Sequence, residues 1–410
     1  MNTLKFVIVG HVDHGKSTLI GRLLYDTGSL PAGKIEEVRA ASNALGSQTE
    51  FAYLLDSLEE ERRGGITIDT TQVFFKTKKR QYIIIDAPGH VEFMKNMITG
   101  ASQAESAVLI IDVHAGVEEQ TRRHAYVLSL LGLDEIIVVI NKMDLVNFDK
   151  KNFDKVKAQI EDFLSSLNIK PVSCIPISAI NGDNVAWKSP NLNWYDGPSL
   201  LSAFDCLQDK ETAENKTLIF PVQDIYEIQD KRIAVGRLEA GLIQQGDKIQ
   251  IFPGGYEDSI ATIEKYLHSD VDKSFPGESI GITTAGLTSL SRGDVICQAN
   301  SQPHLADRFK ATLIWLAEED LKKGEVFTLR CATQETSCRI EVIERRINSS
   351  SLKVIQKNAA SLKYLDVAEV IIKCNRPLVI KAFSDIAELG RFVFVQDDNV
   401  CAGGIIMSEN

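Results

Sequence analysis

An octapeptide near the start of the chain, Gly10-His11-Val12-Asp13-His14-Gly15-Lys16-Ser17, matches the pattern G-x-x-x-x-G-K-[ST]. The apolar run before it predicts a strand that ends at Val9, and a helix is predicted to start near Lys16. Glycines at both ends of the loop let backbone N–H groups point inward, and the helix N-terminus adds partial positive charge for phosphate oxygens. The octapeptide therefore predicts a phosphate-binding loop in which Lys16 reaches the β- and γ-phosphates and Ser17 binds Mg²⁺.

A second polar motif, Asp86-Ala87-Pro88-Gly89-His90, follows the apolar run Tyr82 to Ile85. Ligands of α/β proteins bind at the carboxyl ends of the sheet strands. We therefore expect Asp86 to hold Mg²⁺ through water. The N–H of Gly89 is expected to bond the γ-phosphate, so that hydrolysis releases the segment. His90 is a candidate for orienting the attacking water.

A third motif, Asn141-Lys142-Met143-Asp144, follows the apolar run Ile136 to Ile140 and predicts the base specificity. The Asp144 carboxylate can accept hydrogen bonds from guanine N1–H and from the 2-amino group, which adenine lacks. The motif therefore indicates GTP rather than ATP. Asn141 is expected to fasten the loops together, and the stem of Lys142 to lie against the base.

Two shorter signals complete this set. Ser178-Ala179 follows a predicted strand and can supply a backbone N–H to guanine O6, and Thr67 in Gly65-Ile66-Thr67-Ile68 offers a second Mg²⁺ ligand. His11 and His14 are three residues apart, but their position in the phosphate loop gives little support for a metal site. The predicted catalytic residues are His90, Lys16 and Thr67, and the predicted metal ligands are Ser17, Thr67 and Asp86. The predicted nucleotide-binding residues are Gly10, His11, Asp13, His14, Gly15, Lys16, Ser17, Thr18, Asp86, Gly89, Asn141, Lys142, Asp144, Ser178 and Ala179.

The composition excludes several classes of protein. The 410 residues include 45 Lys and Arg against 56 Asp and Glu, a net charge of −11, which is ordinary for a globular chain and unlike a disordered or collagen-like one. The seven cysteines form no C-x-x-C pair, so we expect reduced residues. The apolar runs are too short to span a bilayer and no secretory segment precedes Gly10, which predicts a cytoplasmic protein. The acidic balance makes a nucleic-acid partner unexpected.

The alternation of apolar runs with helix-period stretches predicts a doubly wound, mostly parallel sheet in an α/β domain over residues 1–209. The basic stretch Lys76 to Arg80 is interpreted as a hairpin turn, and Asp209 to Lys216 as a linker. After Thr217 short strands alternate with Gly-containing turns, which predicts two all-β barrel domains, over residues 217–300 and 303–410.

The ordered motifs, followed by two barrels, make the chain resemble the translational GTPases of the elongation-factor class over its whole length. Within this class it is similar to the GTPase subunit of bacterial sulfate adenylyltransferase. That similarity rests on the stretches Leu55 to Arg63, Gln120 to His124, Trp194 to Pro198, Ser291 to Asp294 and Ile314 to Glu319. From physics alone, Trp315 with Glu318 and Glu319 is a barrel strand that ends in a solvated acidic turn.

The second resemblance implies that GTP hydrolysis, with Mg²⁺, is coupled to synthesis of adenylylsulfate from ATP and sulfate. It also implies a hetero-oligomer with the catalytic ATP sulfurylase subunit. His14, Ala87 and the stretch Val235 to Gly241 instead resemble elongation factors, which leaves open a GTPase that delivers aminoacyl-tRNA to the ribosome. A GTP-gated scaffold without a coupled reaction is a third hypothesis.

Overall fold

The computed structural model describes residues 3–30, 71–86, 101, 104–207, 213–228, 231–266, 268–286, 290–299, 301 and 303–407. The chain divides into two compact units, Met1–Asp209 and Lys210–Asn410. Within the described residues, no helix combines the length and apolarity needed to cross a bilayer. All seven cysteines are free thiols, six of them buried. The domain limits given above from the sequence stay predictions.

The first unit contains a six-stranded sheet in the order β2-β3-β1-β4-β5-β6. Its strands are β1 (Thr3–Val9), β2 (Thr71–Lys76), β3 (Gln81–Asp86), β4 (Ser106–Asp112), β5 (Ile136–Asn141) and β6 (Ser173–Pro176). The α-helices whose bounds fall within the described residues are α1 (Lys16–Asp26), α2 (Glu119–Leu130), α3 (Lys150–Ser166) and α4 (Leu200–Phe204), and short 3₁₀-helices span Met143–Val146 and Pro190–Leu192.

Five of these strands are parallel, and only the β2–β3 pair is antiparallel. Every residue of β4 and of β5 is buried, because a parallel sheet carries helices on both faces. The β2–β3 connection closes with a hydrogen bond from the N–H of Thr77 to the carbonyl of Arg80, as expected for a hairpin turn. This arrangement brings the carboxyl ends of the parallel strands to one edge of the sheet.

The second unit contains two larger sheets, each closed on itself. In the first, the order β10-β15-β7-β8-β14-β11-β12 is closed by pairing of β10 with β11, and in the second the order β18-β23-β24-β16-β22-β19-β20 is closed by pairing of β18 with β19. The strands of the first part are β7 (Ile219–Ile228), β8 (Lys231–Arg237), β9 (Ile243–Gln244), β10 (Lys248–Phe252), β11 (Tyr256–Lys265), β12 (His268–Val271), β13 (Lys273–Ser274), β14 (Ser279–Thr284) and β15 (Val295–Gln298), after a 3₁₀-helix over Ala213–Asn215. Those of the second part are β16 (His304–Trp315), β17 (Leu321–Lys322), β18 (Val326–Cys331), β19 (Gln334–Asn348), β20 (Val354–Lys357), β21 (Ser361–Leu362), β22 (Asp366–Ile380), β23 (Arg391–Gln396) and β24 (Asn399–Ile406), with α5 (Ala387–Gly390) before β23.

The predicted fold class, an α/β P-loop domain followed by two β-barrels, is therefore confirmed. Each barrel has its own apolar interior, centred on residues such as Phe220 in the first and Phe394 in the second. Trp315 ends β16 inside the second barrel, 2% exposed, and its indole N–H donates to the carbonyl of Glu319 at 2.7 Å. Trp315 is therefore a core side chain at the end of a barrel strand, in agreement with the interpretation of this stretch from physics alone.

Candidate nucleotide-binding site

The loop between β1 and α1 approaches its neighbours so closely that glycine is required at two positions. Gly15 precedes α1 with φ of +92°, in the left-handed region, and a Cβ there would lie 2.4 Å from Nδ2 of Asn141. A Cβ on Gly10 would lie 2.5 Å from Cγ2 and 2.6 Å from the carbonyl oxygen of Ile110. The two glycines therefore let the loop backbone curl against the sheet.

Lys16 folds back over this loop. Its ammonium group donates to the carbonyl of Gly10 at 2.8 Å and to that of His11 at 3.1 Å, which uses two of its three protons. Burial lowers the pKa of Lys16, while the negative charges of Asp86 and Asp13 raise it. The loop thus contains a positive charge in an environment of reduced solvation, where an anionic phosphate would be bound strongly.

The start of α1 offers further hydrogen-bond donors. Ser17 and Thr18 lie in its first turn, both half-buried, and within the described part of the chain no side chain caps this helix end. The first N–H groups of a helix have no partner inside the helix and carry partial positive charge. Asp13, exposed and with φ of +63°, turns the chain ahead of them. This end of α1 has the form of a phosphate site.

Asn141 joins three loops at the carboxyl edge of the sheet. Its Nδ2 donates to the carbonyl of His14 at 2.9 Å, and its Oδ1 accepts from the N–H of Ala179 at 2.9 Å. The side chain is buried, so both bonds are protected from water. One amide therefore fixes the phosphate loop relative to the segment that follows β6.

Asp144 and Ser178 lie together at the other end of this edge. The hydroxyl of Ser178 donates to Oδ1 of Asp144 at 2.6 Å, which orients the carboxylate predicted to read guanine. The N–H of Ser178 donates to the carbonyl of Asp183 at 3.2 Å, and that of Ala179 donates to Asn141. Guanine O6 would therefore share one of these N–H groups, and that contact stays a prediction.

Asp112 is a member of the site that none of the sequence motifs indicated. It ends β4, stands beside Asn141 in the strand register and accepts from the Lys142 ammonium at 2.8 Å. Burial opposes ionisation of this carboxyl, but hydrogen bonds from Lys142 and from the N–H of His114 hold its pKa below the usual range. The Lys142 backbone has φ of +64°, which turns the chain after β5. An aspartate directly after an apolar run, as at Asp86, was the signal that could have found it.

Four further residues are predicted for Mg²⁺, the γ-phosphate and the attacking water, and the structure describes only one of them. Asp86 ends β3, where the register pairs it with Ile8 of β1, close to the start of the phosphate loop. Thr67, Gly89 and His90 lie outside the described residues, and their roles stay predictions.

Comparison with known proteins gives one family for the GTP-binding unit. Residues 1–228 match the elongation factor Tu GTP binding domain, and residues 308–407 match the GTP-eEF1A C-terminal domain-like family. Elongation factor 1-alpha of Archaeoglobus fulgidus is 39% identical over 411 residues, covering 98% of this chain and 97% of that protein. The proteins of the same name from Natronomonas pharaonis and Thermoplasma acidophilum are 37% and 39% identical, each over 98% of this chain and over 97% and 96% of their own lengths.

These relatives overturn the predicted partner. They are named elongation factor 1-alpha, so the assignment to sulfate adenylyltransferase is not supported, and the expected catalytic ATP sulfurylase subunit is wrong. The physical reason is that the nucleotide motifs depend on the chemistry of GTP and carry no information about the surface that contacts a partner. Trp315, one of the residues that suggested the sulfurylase partner, is buried. The acidic net charge likewise does not exclude a nucleic-acid partner, because net charge sums over the whole chain and does not describe a local surface.

Proposed function

The chain belongs to the family of the elongation factor Tu GTP binding domain, and from that membership we propose that it is an elongation factor 1-alpha-like GTPase that delivers aminoacyl-tRNA to the ribosome. The observation that carries the proposal is the extent of the similarity, which covers 98% of this chain and 97% of the first relative. A shared GTP-binding domain alone would support only nucleotide binding. Similarity that includes both barrels supports a shared task.

The proposed nucleotide contacts follow from the geometry at the carboxyl edge of the parallel sheet. The Lys16 ammonium and the N–H groups at the start of α1 would bind the phosphates. The Asp144 carboxylate, oriented by Ser178, would accept the two guanine donors. Asn141 would hold these two halves of the pocket at a fixed separation, since it is bonded to both loops.

The residues present fit a magnesium ion. Ser17 at the start of α1 and Asp86 at the end of β3 supply the oxygen donors that Mg²⁺ prefers, and Thr67 is proposed as a further ligand. When bound, Mg²⁺ neutralises charge on the β- and γ-phosphates. His90 is proposed to orient the attacking water.

Hydrolysis without a partner is expected to be slow, about 10⁻⁴ to 10⁻² per second, as in GTPases that are not stimulated by a partner protein. A slow intrinsic rate suits a carrier, because the GTP form must persist until the cargo has been delivered. Acceleration is then expected from the ribosome.

The proposal is tested by binding of aminoacyl-tRNA to the chain loaded with GTP or with GDP, across a series of salt concentrations. We expect the GTP form to bind at least about tenfold more tightly, a difference of about 1.4 kcal/mol, with affinity that falls steeply as salt rises. Deacylated tRNA is the matched ligand control. Lys16→Ala should abolish the nucleotide dependence, whereas Lys155→Ala, on the exposed face of α3, should retain it. Equal binding by the GTP and GDP forms would contradict the proposal.

A further inference from the structure

Three side chains that can ligate a metal meet beside the phosphate loop. One ligand atom from each of His11, His14 and Glu118 lies within 4.8 Å of the others. Nε2 of His14 is 3.3 Å from Oε2 of Glu118, and Nδ1 of His11 is 3.9 Å from the same oxygen. Glu118 immediately precedes α2, so the cluster joins two segments about a hundred residues apart in the chain.

The His14 ring lies between two oxygen atoms, the carbonyl oxygen of Ile110 and Oε2 of Glu118. Nδ1 of His14 lies 3.3 Å from the carbonyl oxygen of Ile110, which can only accept, so Nδ1 donates to it in the tautomer that carries the proton there. The ring is 3% exposed, so a charged imidazolium there would be poorly solvated. In that tautomer the neutral ring presents the lone pair of Nε2, and this is the form in which a histidine binds a metal ion.

That lone pair faces the Glu118 carboxylate. With the proton on Nδ1, Nε2 and the carboxylate oxygen are two acceptors 3.3 Å apart, which repel each other unless a cation lies between them. A second proton on His14, at Nε2, would also remove this repulsion, but it would place a positive charge on a buried ring, which costs free energy. A metal ion meets it without protonating the ring, and the Ile110 carbonyl then supplies the second hydrogen bond that metal-bound histidines usually make.

We propose that His11, His14 and Glu118 bind a divalent transition-metal ion, with zinc preferred. Two imidazoles and one carboxylate form a donor set that suits zinc, whereas Mg²⁺ prefers oxygen ligands alone. Tetrahedral zinc with bonds of about 2.0–2.1 Å places its ligand atoms about 3.4 Å apart, close to the 3.3 Å between His14 and Glu118. Water would occupy the fourth position, as in open zinc sites.

His11 completes the site by a small movement. Its Nδ1 lies 2.9 Å from the carbonyl oxygen of Val12, and this bond would be given up when the ring turns to the metal. The side chain is 39% exposed and its ring centroid is 5.3 Å from that of His14, so the movement crosses solvent and not packed core. Binding would tie the phosphate loop to the start of α2.

The test measures metal uptake and needs neither GTP nor tRNA, so its outcome is separate from that of the proposed function. The full chain, without an affinity tag, is stripped with chelator and titrated with Zn²⁺ in excess Mg²⁺ by calorimetry. We expect about one Zn²⁺ per chain. Co²⁺ should give the visible absorption bands of a low-symmetry site in the same stoichiometry.

The variant Glu118→Gln removes the carboxylate while keeping the size of the side chain, and we expect at least about a tenfold loss of Zn²⁺ affinity. The control Glu119→Gln removes the neighbouring carboxylate, which pairs with Arg123 at 2.5 Å, and should bind Zn²⁺ like the original chain. Affinity for GDP should be unchanged in both variants, which shows that the phosphate loop is intact.

Three results would overturn the inference. The first is that the unaltered chain takes up no Zn²⁺. The second is that Glu118→Gln binds Zn²⁺ as tightly as the unaltered chain, which would place the ion on the thiols or elsewhere. Equal losses in the Glu118 and Glu119 variants would reveal a general effect of surface charge.

Discussion

Nδ2 of Asn141 donates a 2.9 Å hydrogen bond to the carbonyl oxygen of His14, across 127 residues of sequence. The same side chain accepts from the N–H of Ala179, so the two ends of the nucleotide pocket are held by one buried amide. Since both loops would contact the nucleotide, this residue should matter for affinity even if it touches no ligand atom.

Asn141→Ala should weaken binding of GTP and GDP alike. The change leaves the buried carbonyl of His14 and the N–H of Ala179 without these partners, a loss of about 1–3 kcal/mol, or about 5- to 150-fold in affinity if it is expressed in binding. Fluorescent-nucleotide titration measures it. Asn193→Ala, at an exposed asparagine, is the control and should bind normally. Selective loss of GTP alone would argue against a clamp common to both nucleotides.

Asp144→Asn should move base preference from guanine toward xanthine. An amide nitrogen replaces a carboxylate oxygen, so the side chain offers a donor where guanine also offers donors, whereas xanthine offers an acceptor. The preference for GTP over XTP should fall by at least about tenfold in competition binding, since each lost hydrogen bond to a charged group is worth about 1.5–3 kcal/mol. Asp154→Asn, exposed on α3, should leave it unchanged. An unaltered preference in the Asp144 variant would remove this residue from base reading.

Glu239 should make the second unit sensitive to pH. Burial raises its pKa to about 7, with a further contribution from Glu388, while Arg237 and Arg391 act in the opposite direction. Because the folded state holds the proton more tightly than an unfolded chain does, the stabilisation is complete below about pH 4.5 and is lost as the pH rises through 7.

Glu239→Gln keeps the neutral form at every pH, so its melting temperature should exceed that of the original chain at pH 8 and match it near pH 4. A gain of about 1 kcal/mol corresponds to about 2–4 °C for a unit of this size. Scanning calorimetry at the two pH values measures the shift, with Glu257→Gln, at an exposed glutamate, as the control. An equal gain in melting temperature at both pH values would show that the stabilisation does not come from the titration of Glu239.

Trp315→Ala should destabilise the second barrel without changing nucleotide binding. The change removes a 2% exposed side chain and leaves the carbonyl of Glu319 without its indole partner, with an expected cost of about 3–5 kcal/mol. Urea unfolding followed by circular dichroism measures this cost. Trp187→Ala, at a tryptophan 74% exposed, should change stability by less than about 0.5 kcal/mol. A loss of GTP affinity in the Trp315 variant would show that the residue does more than pack.

Much of the fold was predictable from local pattern. The predicted strand end at Val9 and helix start near Lys16 match β1 and α1, and the closed barrels follow the change of texture after Thr217. These features depend on residues close in sequence, whose spacing of apolar side chains and glycines restricts the backbone. The partner was not predictable, because the markers used for it included buried Trp315 and motifs that serve nucleotide chemistry in the whole class.

The sequence by itself determined the phosphate loop and the polar strand ends, because the carboxyl ends of parallel strands must share an edge and a loop of this composition has few conformations. Only the tertiary structure placed Glu118 against His14, 104 residues away, and Lys142 against Asp112. No spacing encodes such contacts, since they arise where separate loops converge after the sheet has formed. The histidine pair that carried little meaning in the sequence became a candidate metal site for this reason.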